Sequence, residues 1–84
     1  MMHVTVISPE SSLFDGDADA VQAPAYDGQV GILPHHAAFM TLLGKGPLLV
    51  RHPGGEEHFT VRGGFLQVVH NTVRVVAEQV TRPK

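Results

Sequence analysis

Turn signals, most of them formed by glycine and proline, recur at intervals of roughly 8–12 residues, and this spacing constrains the fold more than any other feature. The 84 residues include nine glycines and six prolines. Between these breaks, segments such as His3–Ser8 and Glu57–Arg62 alternate apolar and polar residues with the period of a half-buried strand. No window of about 11 residues carries a convincing helical stripe that is free of glycine and proline. The pattern therefore predicts an all-β fold, a β-sandwich in which two small sheets bury their apolar faces against each other.

Composition narrows the class of protein further. Charged residues make up 17% of the chain and the net charge is −2, which argues against a nucleic-acid binder because such proteins present a basic face. The chain contains no cysteine, so disulfides and thiolate metal sites are excluded. We expect a single domain over residues 1–84 and no signal peptide. The longest nearly apolar stretch, Ala37–Leu43, is far below the ~20 residues of a membrane-spanning helix, so we expect no membrane insertion.

Residues 27–37, which we call the tip, contain several residues that permit or restrict particular backbone conformations. Asp27-Gly28 between extended runs predicts a hairpin turn. Gly31 shapes the returning strand, where we expect a glycine to permit positive φ or close approach, and Pro34 ends that strand. The two histidines that follow, His35 and His36, should point to opposite sides if the segment is extended. We interpret the tip as a rigid surface that contacts a partner.

The second half of the chain predicts a terminal hairpin and much of the core. Two apolar runs, Phe65–Val69 and Thr72–Ala77, flank a tight turn at His70-Asn71. Gly63-Gly64 permits a bulge or a sharp bend. Earlier in the chain, residues 11–17 read as a short strand running into a turn. Alternation predicts one set of inward-facing residues, namely Phe59, Val61, Leu66, Val68, Val73 and Val75.

The histidines leave a metal-binding alternative open. They stand at positions 3, 35, 36, 52, 58 and 70. His52 and His58 flank the Pro53-Gly54-Gly55 turn, so with Glu56 and Glu57 they could form a weak site, although their spacing is not that of structural zinc. The competing interpretation is a set of solvated turn and edge histidines.

Catalytic patterns are missing from the sequence. The serines Ser8, Ser11 and Ser12 cluster beside a proline without the strand–elbow–helix context of a nucleophile. No nucleophile–base pair is visible, and a domain of this size does not enclose the usual enzyme pocket. We therefore expect a protein that is not an enzyme and that needs no cofactor.

Four motifs in order resemble the epsilon subunit of F-type ATP synthase. The opening Val4-Thr5-Val6-Ile7-Ser8-Pro9-Glu10 and Leu13-Phe14-Asp15-Gly16 resemble the first strand and turn of that family. Gly28-x-x-Gly31-Ile32-Leu33-Pro34-x-His36-Ala37 resembles its signature, and Gly63–Val68 and Asn71–Ala77 resemble its later strands. The match extends over nearly all 84 residues.

The resemblance implies an antiparallel β-sandwich of about ten short strands in two sheets. It also implies a non-catalytic central-stalk subunit that docks gamma to the c-ring and couples proton-driven rotation to ATP synthesis. Its partners would be gamma and the c-ring, and it would lie peripherally at the cytoplasmic side of a bacterial inner membrane. The alternative that remains is a free-standing ligand- or metal-binding β-sandwich module.

Carried over residue by residue, the resemblance assigns partner contacts to Ser8, Gly28, Gln29, Gly31, His36 and Thr41. Residues 28–41 would lie at the interface with the c-ring and gamma, and Ser8 would lie near gamma. Three positions depart from the family pattern: Gln29 is neutral where the family often has an acidic residue, His35 replaces a small residue, and Ala38 replaces a common proline. The helical hairpin that usually follows in the family is absent from the 84 residues, so we expect neither ATP binding nor hairpin-based inhibition.

Overall fold

The computed structural model describes residues 1–82; the last two positions of the predicted domain, Pro83 and Lys84, lie outside the described residues. Residues 1–82 form eight strands and no helix, and hence no helix long and apolar enough to cross a membrane lies among them. The strands are β1 Met2–Ile7, β2 Ser12–Ala18, β3 Ala20–Ala25, β4 Gly28–Ile32, β5 Phe39–Leu42, β6 Lys45–His52, β7 Gly55–Val69 and β8 Thr72–Thr81.

One continuous hydrogen-bonded network joins these strands in the order β2-β1-β8-β7-β6-β3-β4, and β5 pairs with β7. The network folds into two layers. Layer one contains β3, β4, β6 and the first half of β7, whereas layer two contains β1, β2, β5, the second half of β7 and the first half of β8. The predicted all-β sandwich is thus confirmed.

A single long hairpin produces both layers. Residues 39–52 pair with residues 55–68 in one unbroken register, with Phe39 opposite Val68 and His52 opposite Gly55. Both arms change layer at glycines: the Leu43 N–H donates to the Gly64 carbonyl at 2.9 Å, and the Gly63 N–H to the Gly44 carbonyl at 3.2 Å. Since the register is the same on both sides, Gly63-Gly64 makes a bend and not a bulge.

The core lies between the layers and is entirely apolar in the part of the chain that the structure describes. Phe59, Leu48 and Ile32 enter it from layer one, and Leu66 and Val4 from layer two, each with 1% or less of its surface exposed. All six residues that alternation predicted to face inward are buried.

Three details of the predicted fold are wrong. The described residues form eight strands instead of about ten, because segments expected to be separate merge into the 15-residue β7. The sheet is mixed, since β1 and β8 pair in parallel from His3–Thr72 to Ile7–Val76. Residues 11–17 do not run into a turn: β2 continues through Gly16, which pairs with Val4.

Candidate docking surface

A row of four apolar residues crosses the outer face of layer two. Leu42 pairs with Phe65, Phe65 with Val76, and Val76 with Ile7, on the adjacent strands β5, β7, β8 and β1. Directly paired residues point to the same face of a sheet, and the neighbours Leu66 and Val75 point into the core. We call Leu42, Phe65, Val76 and Ile7 the apolar row. Leu42 is 62% exposed and the other three are partly exposed.

Two of the predicted partner-binding residues are sequence neighbours of the end residues of the apolar row, although Thr41 pairs with the buried Leu66 and so points to the inner face of β5. Thr41 precedes Leu42 on β5, and Ser8 follows Ile7 at the end of β1. Three strand spacings separate the ends, which corresponds to about 14 Å. Both residues are half-buried. Met40 extends the apolar surface beside Leu42 and is 66% exposed.

The tip ends in a tight turn that presents His36. The His36 N–H donates to the Leu33 carbonyl at 3.1 Å, Pro34 occupies the second position, and His35 has φ +66°. This combination is typical of a type II turn, in which glycine usually takes the place of His35. A left-handed conformation costs a non-glycine residue about 1–2 kcal/mol. The segment is a turn and not an extended strand, so the alternation that an extended segment would give to His35 and His36 does not apply.

The exposed side chain of His36 lies against layer two. Its Nδ1 is 2.8 Å from the Ala37 carbonyl, and its ring centroid is 5.0 Å from that of Phe39. His36 lies in the β4–β5 connection, three residues before Phe39, which begins the strand that carries Thr41 and Leu42. The structure thus brings His36 and Thr41 to one region.

Gly28, Gln29 and Gly31 lie on β4, an edge strand of layer one, and all three are exposed. Gly28 has φ +135° and begins β4 directly after the two-residue turn, which lies at Tyr26-Asp27, one residue earlier than the predicted Asp27-Gly28 turn. Gly31 differs from expectation. Its φ lies outside the positive region, and a Cβ added there would have no atom within 4 Å. Gly31 instead lines a shallow cavity of about 340 Å³ on the outer face of layer one, with Leu33, Leu49 and Arg51 among its neighbours.

The six predicted partner-binding residues therefore occupy three regions of the surface. His36 and Thr41 lie near β5, the glycines and Gln29 lie on β4, and Ser8 lies at the far end of layer two. Tyr26, which is 68% exposed, and Met40 line an open groove of about 500 Å³ between the β3–β4 turn and β5, which connects the first two regions.

The histidines and glutamates around the β6–β7 turn do not converge on one point. His52 Nε2 is 3.1 Å from Glu57 Oε2, whereas His58 Nε2 is 3.2 Å from Glu56 Oε1. Residues 56 and 57 alternate along β7, so their side chains leave opposite faces of the strand. Within residues 1–82, no group of three or more histidine, aspartate or glutamate side chains could hold a metal ion.

Glu57 instead joins three strands. One oxygen accepts from His52 Nε2, and Arg82 Nη1 donates to the other at 2.9 Å. Arg82 Nη2 also donates to the Leu13 carbonyl, and the guanidinium lies 4.8 Å from the ring centroid of Phe59. The hydrogen bond from His52, followed by the bond and charge of Arg82, lowers the pKa of Glu57 against the opposing effect of its burial. This cluster fixes the end of β8 to the β6–β7 hairpin and to β2.

The sequence did not indicate that Met40 and Leu42 are exposed on the outer face of layer two, or that Asn71 contacts the tip. Residues 38–43 are so uniformly apolar that alternation could not show which side chains face outward. Asn71 was recognised only as a turn residue, because its bonds reach segments 36 and 70 positions away in sequence.

A family model and the sequences of known proteins place this chain in the same family. The family model for the beta-sandwich domain of the ATP synthase Delta/Epsilon chain matches residues 1–83. The ATP synthase epsilon chain of Chloroflexus aurantiacus is 38% identical over 81 residues, covering 96% of this chain and 58% of the relative. That of Caulobacter vibrioides is 38% identical over 77 residues, covering 92% of this chain and 90% of the relative. This chain thus spans less than two thirds of the first relative's length and most of the second's.

Two solved structures share the fold. A chain in the cryo-EM structure of Euglena gracilis mitochondrial ATP synthase, described as OSCP/F1/c-ring, superposes with a TM-score of 0.86 at 21% identity, covering 94% of this chain and 51% of that chain. A chain in the central stalk/c-ring structure of the Tetrahymena thermophila mitochondrial ATP synthase superposes with a TM-score of 0.83 at 22% identity, covering 96% and 66%. At these identities the similarity concerns the fold alone.

Proposed function

Because this chain belongs to the family of the ATP synthase Delta/Epsilon beta-sandwich domain, we propose that it is a non-catalytic central-stalk subunit of an F-type ATP synthase. It docks the gamma subunit to the c-ring and thereby couples proton-driven rotation to ATP synthesis. As part of the complex it lies peripherally at the cytoplasmic side of a bacterial inner membrane. Residues 1–84 act as one structural unit, which the single core cluster supports.

The apolar row carries this proposal. An exposed apolar surface on a small protein marks an interaction site, and the row crosses four adjacent strands from Leu42 to Ile7, which is followed by the predicted gamma contact Ser8. Gamma binds across this row and buries Leu42 and Met40, which are otherwise exposed. His36 borders the same interface through Phe39.

The c-ring contacts a separate part of the surface, at β4. Gln29 and the two glycines are exposed there, and the absence of side chains at Gly28 and Gly31 permits a partner to approach the backbone closely. Because Gln29 is neutral, this contact uses ordinary hydrogen bonds in place of the charge-assisted bond that an acidic residue would make.

The metal-binding alternative loses its support, because the two histidine–glutamate pairs lie on opposite faces of β7. The observed pairs stabilise the β6–β7 hairpin instead.

Calorimetric titration of the chain with purified gamma tests the proposal. We expect binding at micromolar concentration or tighter. Leu42→Glu places a charge in the apolar row and should weaken the Kd by about tenfold or more. Thr60→Glu adds the same charge on the outer face of layer one, where Thr60 is exposed, and should leave the Kd unchanged. Absence of binding by the unmodified chain at micromolar concentration would contradict the proposal.

A further inference from the structure

We propose that Asn71 is a positioning residue for the docking surface, because its side chain holds the Leu33–His36 turn, and with it His36, against the β7–β8 hairpin. The inference rests on the proposed function, in which His36 borders the gamma interface. Asn71 itself is half-buried and contacts no predicted partner-binding residue directly.

Three hydrogen bonds converge on Asn71. Its Oδ1 accepts from the His35 N–H at 2.8 Å, its Nδ2 donates to the Met1 carbonyl at 2.9 Å, and its backbone carbonyl accepts from the His3 N–H at 3.1 Å. A backbone N–H requires an oxygen and a carbonyl requires a donor, so the two partners fix the orientation of the side-chain amide. Asn71 thus ties the tip and the start of the chain to one hairpin.

The turn depends on this tie because it is otherwise weakly held. His35 has the φ of +66° that disfavours a side chain, and residues 33–38 belong to no strand. The bond from its N–H to Asn71 favours the strained conformation over alternatives that would leave the histidine in the usual region. Since His36 follows directly, the same bond restricts where its ring can lie.

The β7–β8 turn offers a clean way to separate this role from folding. Both central residues, His70 and Asn71, have positive φ, 51° and 60°, as in a type I′ turn, which glycine adopts readily. Asn71→Gly therefore keeps the hairpin turn and removes the tie. Asn71→Asp keeps an acceptor for the His35 N–H and removes the donor to the Met1 carbonyl.

The experiment compares the unmodified chain with these two variants by amide hydrogen exchange of His35 in NMR spectra and by titration with gamma. We expect Asn71→Gly to reduce the protection of the His35 amide by roughly tenfold and to weaken the gamma Kd by about three- to tenfold. Its thermal midpoint should stay within about 4 °C of the unmodified value. Asn71→Asp should restore both the protection and the affinity to within about threefold of the unmodified chain.

Unchanged protection and affinity in Asn71→Gly would overturn the inference, as would loss of both in Asn71→Asp. If Asn71→Gly does not fold, Asn71→Asp alone tests the inference. Loss of His35 amide protection in Asn71→Asp would then show that the hydrogen bond to position 71 does not hold the turn. The exchange measurement needs no partner. Failure of the unmodified chain to bind gamma would therefore count against the proposed function, while His35 exchange would still test the tie.

Discussion

Gly64 is the residue at which one added atom should do the most damage. It has φ +103°, and a Cβ there would collide with the Val76 carbonyl oxygen and lie 2.8 Å from the Cα of Ala77. These are backbone atoms of the neighbouring strand, so they cannot move aside without disturbing β8. We expect Gly64→Ala to lower the free energy of unfolding by about 3 kcal/mol, measured by urea denaturation.

Gly31→Ala is the matched control, because it makes the same change at a position with open space and no positive φ. It should change the free energy of unfolding by about 0.5 kcal/mol or less. Equal destabilisation by both substitutions would show that Gly64 is not specially constrained.

His36→Ala should separate stability from binding. The side chain is exposed, so its removal should change the free energy of unfolding by about 0.5 kcal/mol or less, while it weakens the gamma Kd measured by calorimetry. Thermal melting of the two chains checks the first part. A large loss of stability would mean that the contact of His36 with Phe39 is structural and that its assignment to the interface is wrong.

Individual residues differ in how far the sequence determines them. The turn at His70-Asn71 and the six inward-facing residues were predictable, because local turn chemistry and strand alternation decide them. The positive φ of His35 was not, since it is stabilised by a hydrogen bond that the His35 N–H donates to Asn71, 36 positions away. Gly31 shows the opposite error: a glycine in a signature motif was expected to need special backbone angles that it does not adopt.

At the scale of elements, the end of β8 is attached through Glu57 to the β6–β7 hairpin and through Arg82 to β2. The folded state lowers the pKa of Glu57 below its ordinary value of 4.5. Ionised Glu57 therefore stabilises the fold above that pH, and its contribution is lost as the pH falls through the lower folded-state value. Acid unfolding followed by circular dichroism should show this loss.

Glu57→Gln should remove that part of the acid dependence and lower the free energy of unfolding at pH 7 by about 0.5–1.5 kcal/mol. Glu56→Gln is the control one residue away. Because the Glu56 side chain is 44% exposed in its pairs with Arg51 and His58, its effect at pH 7 should be about 0.5 kcal/mol or less. The attachment of β8 would be unsupported if the two variants were equally stable at pH 7.

Element boundaries were predictable where glycine and proline mark them, and less so where distant strands decide them. β8 begins at Thr72 as predicted but continues to Thr81, beyond the predicted end at Ala77. β7 runs through Gly63-Gly64 because both of its halves keep one register with residues 39–52. The parallel pairing of β1 with β8 joins the two ends of the chain, and no local pattern specifies such a non-local contact.

For the whole molecule, the two outer faces differ in character. The outer face of layer two carries the apolar row, whereas exposed polar and charged residues such as Thr60 and Arg62 lie on that of layer one. The sequence motifs indicated the family and a partner-binding tip, but which face carries the apolar row depends on how β5 alternates, and residues 38–43 are too uniformly apolar to show this. The central claim is therefore that gamma binds the outer face of layer two.

Single-cysteine crosslinking in the assembled complex tests that claim most directly, since the chain has no cysteine of its own. Met40→Cys and Thr60→Cys place one exposed thiol on each outer face, and each is labelled with a short photoactivatable crosslinker. We predict that the thiol at position 40 crosslinks to gamma and that the thiol at position 60 does not. Crosslinking to gamma from position 60 but not from position 40 would contradict the account.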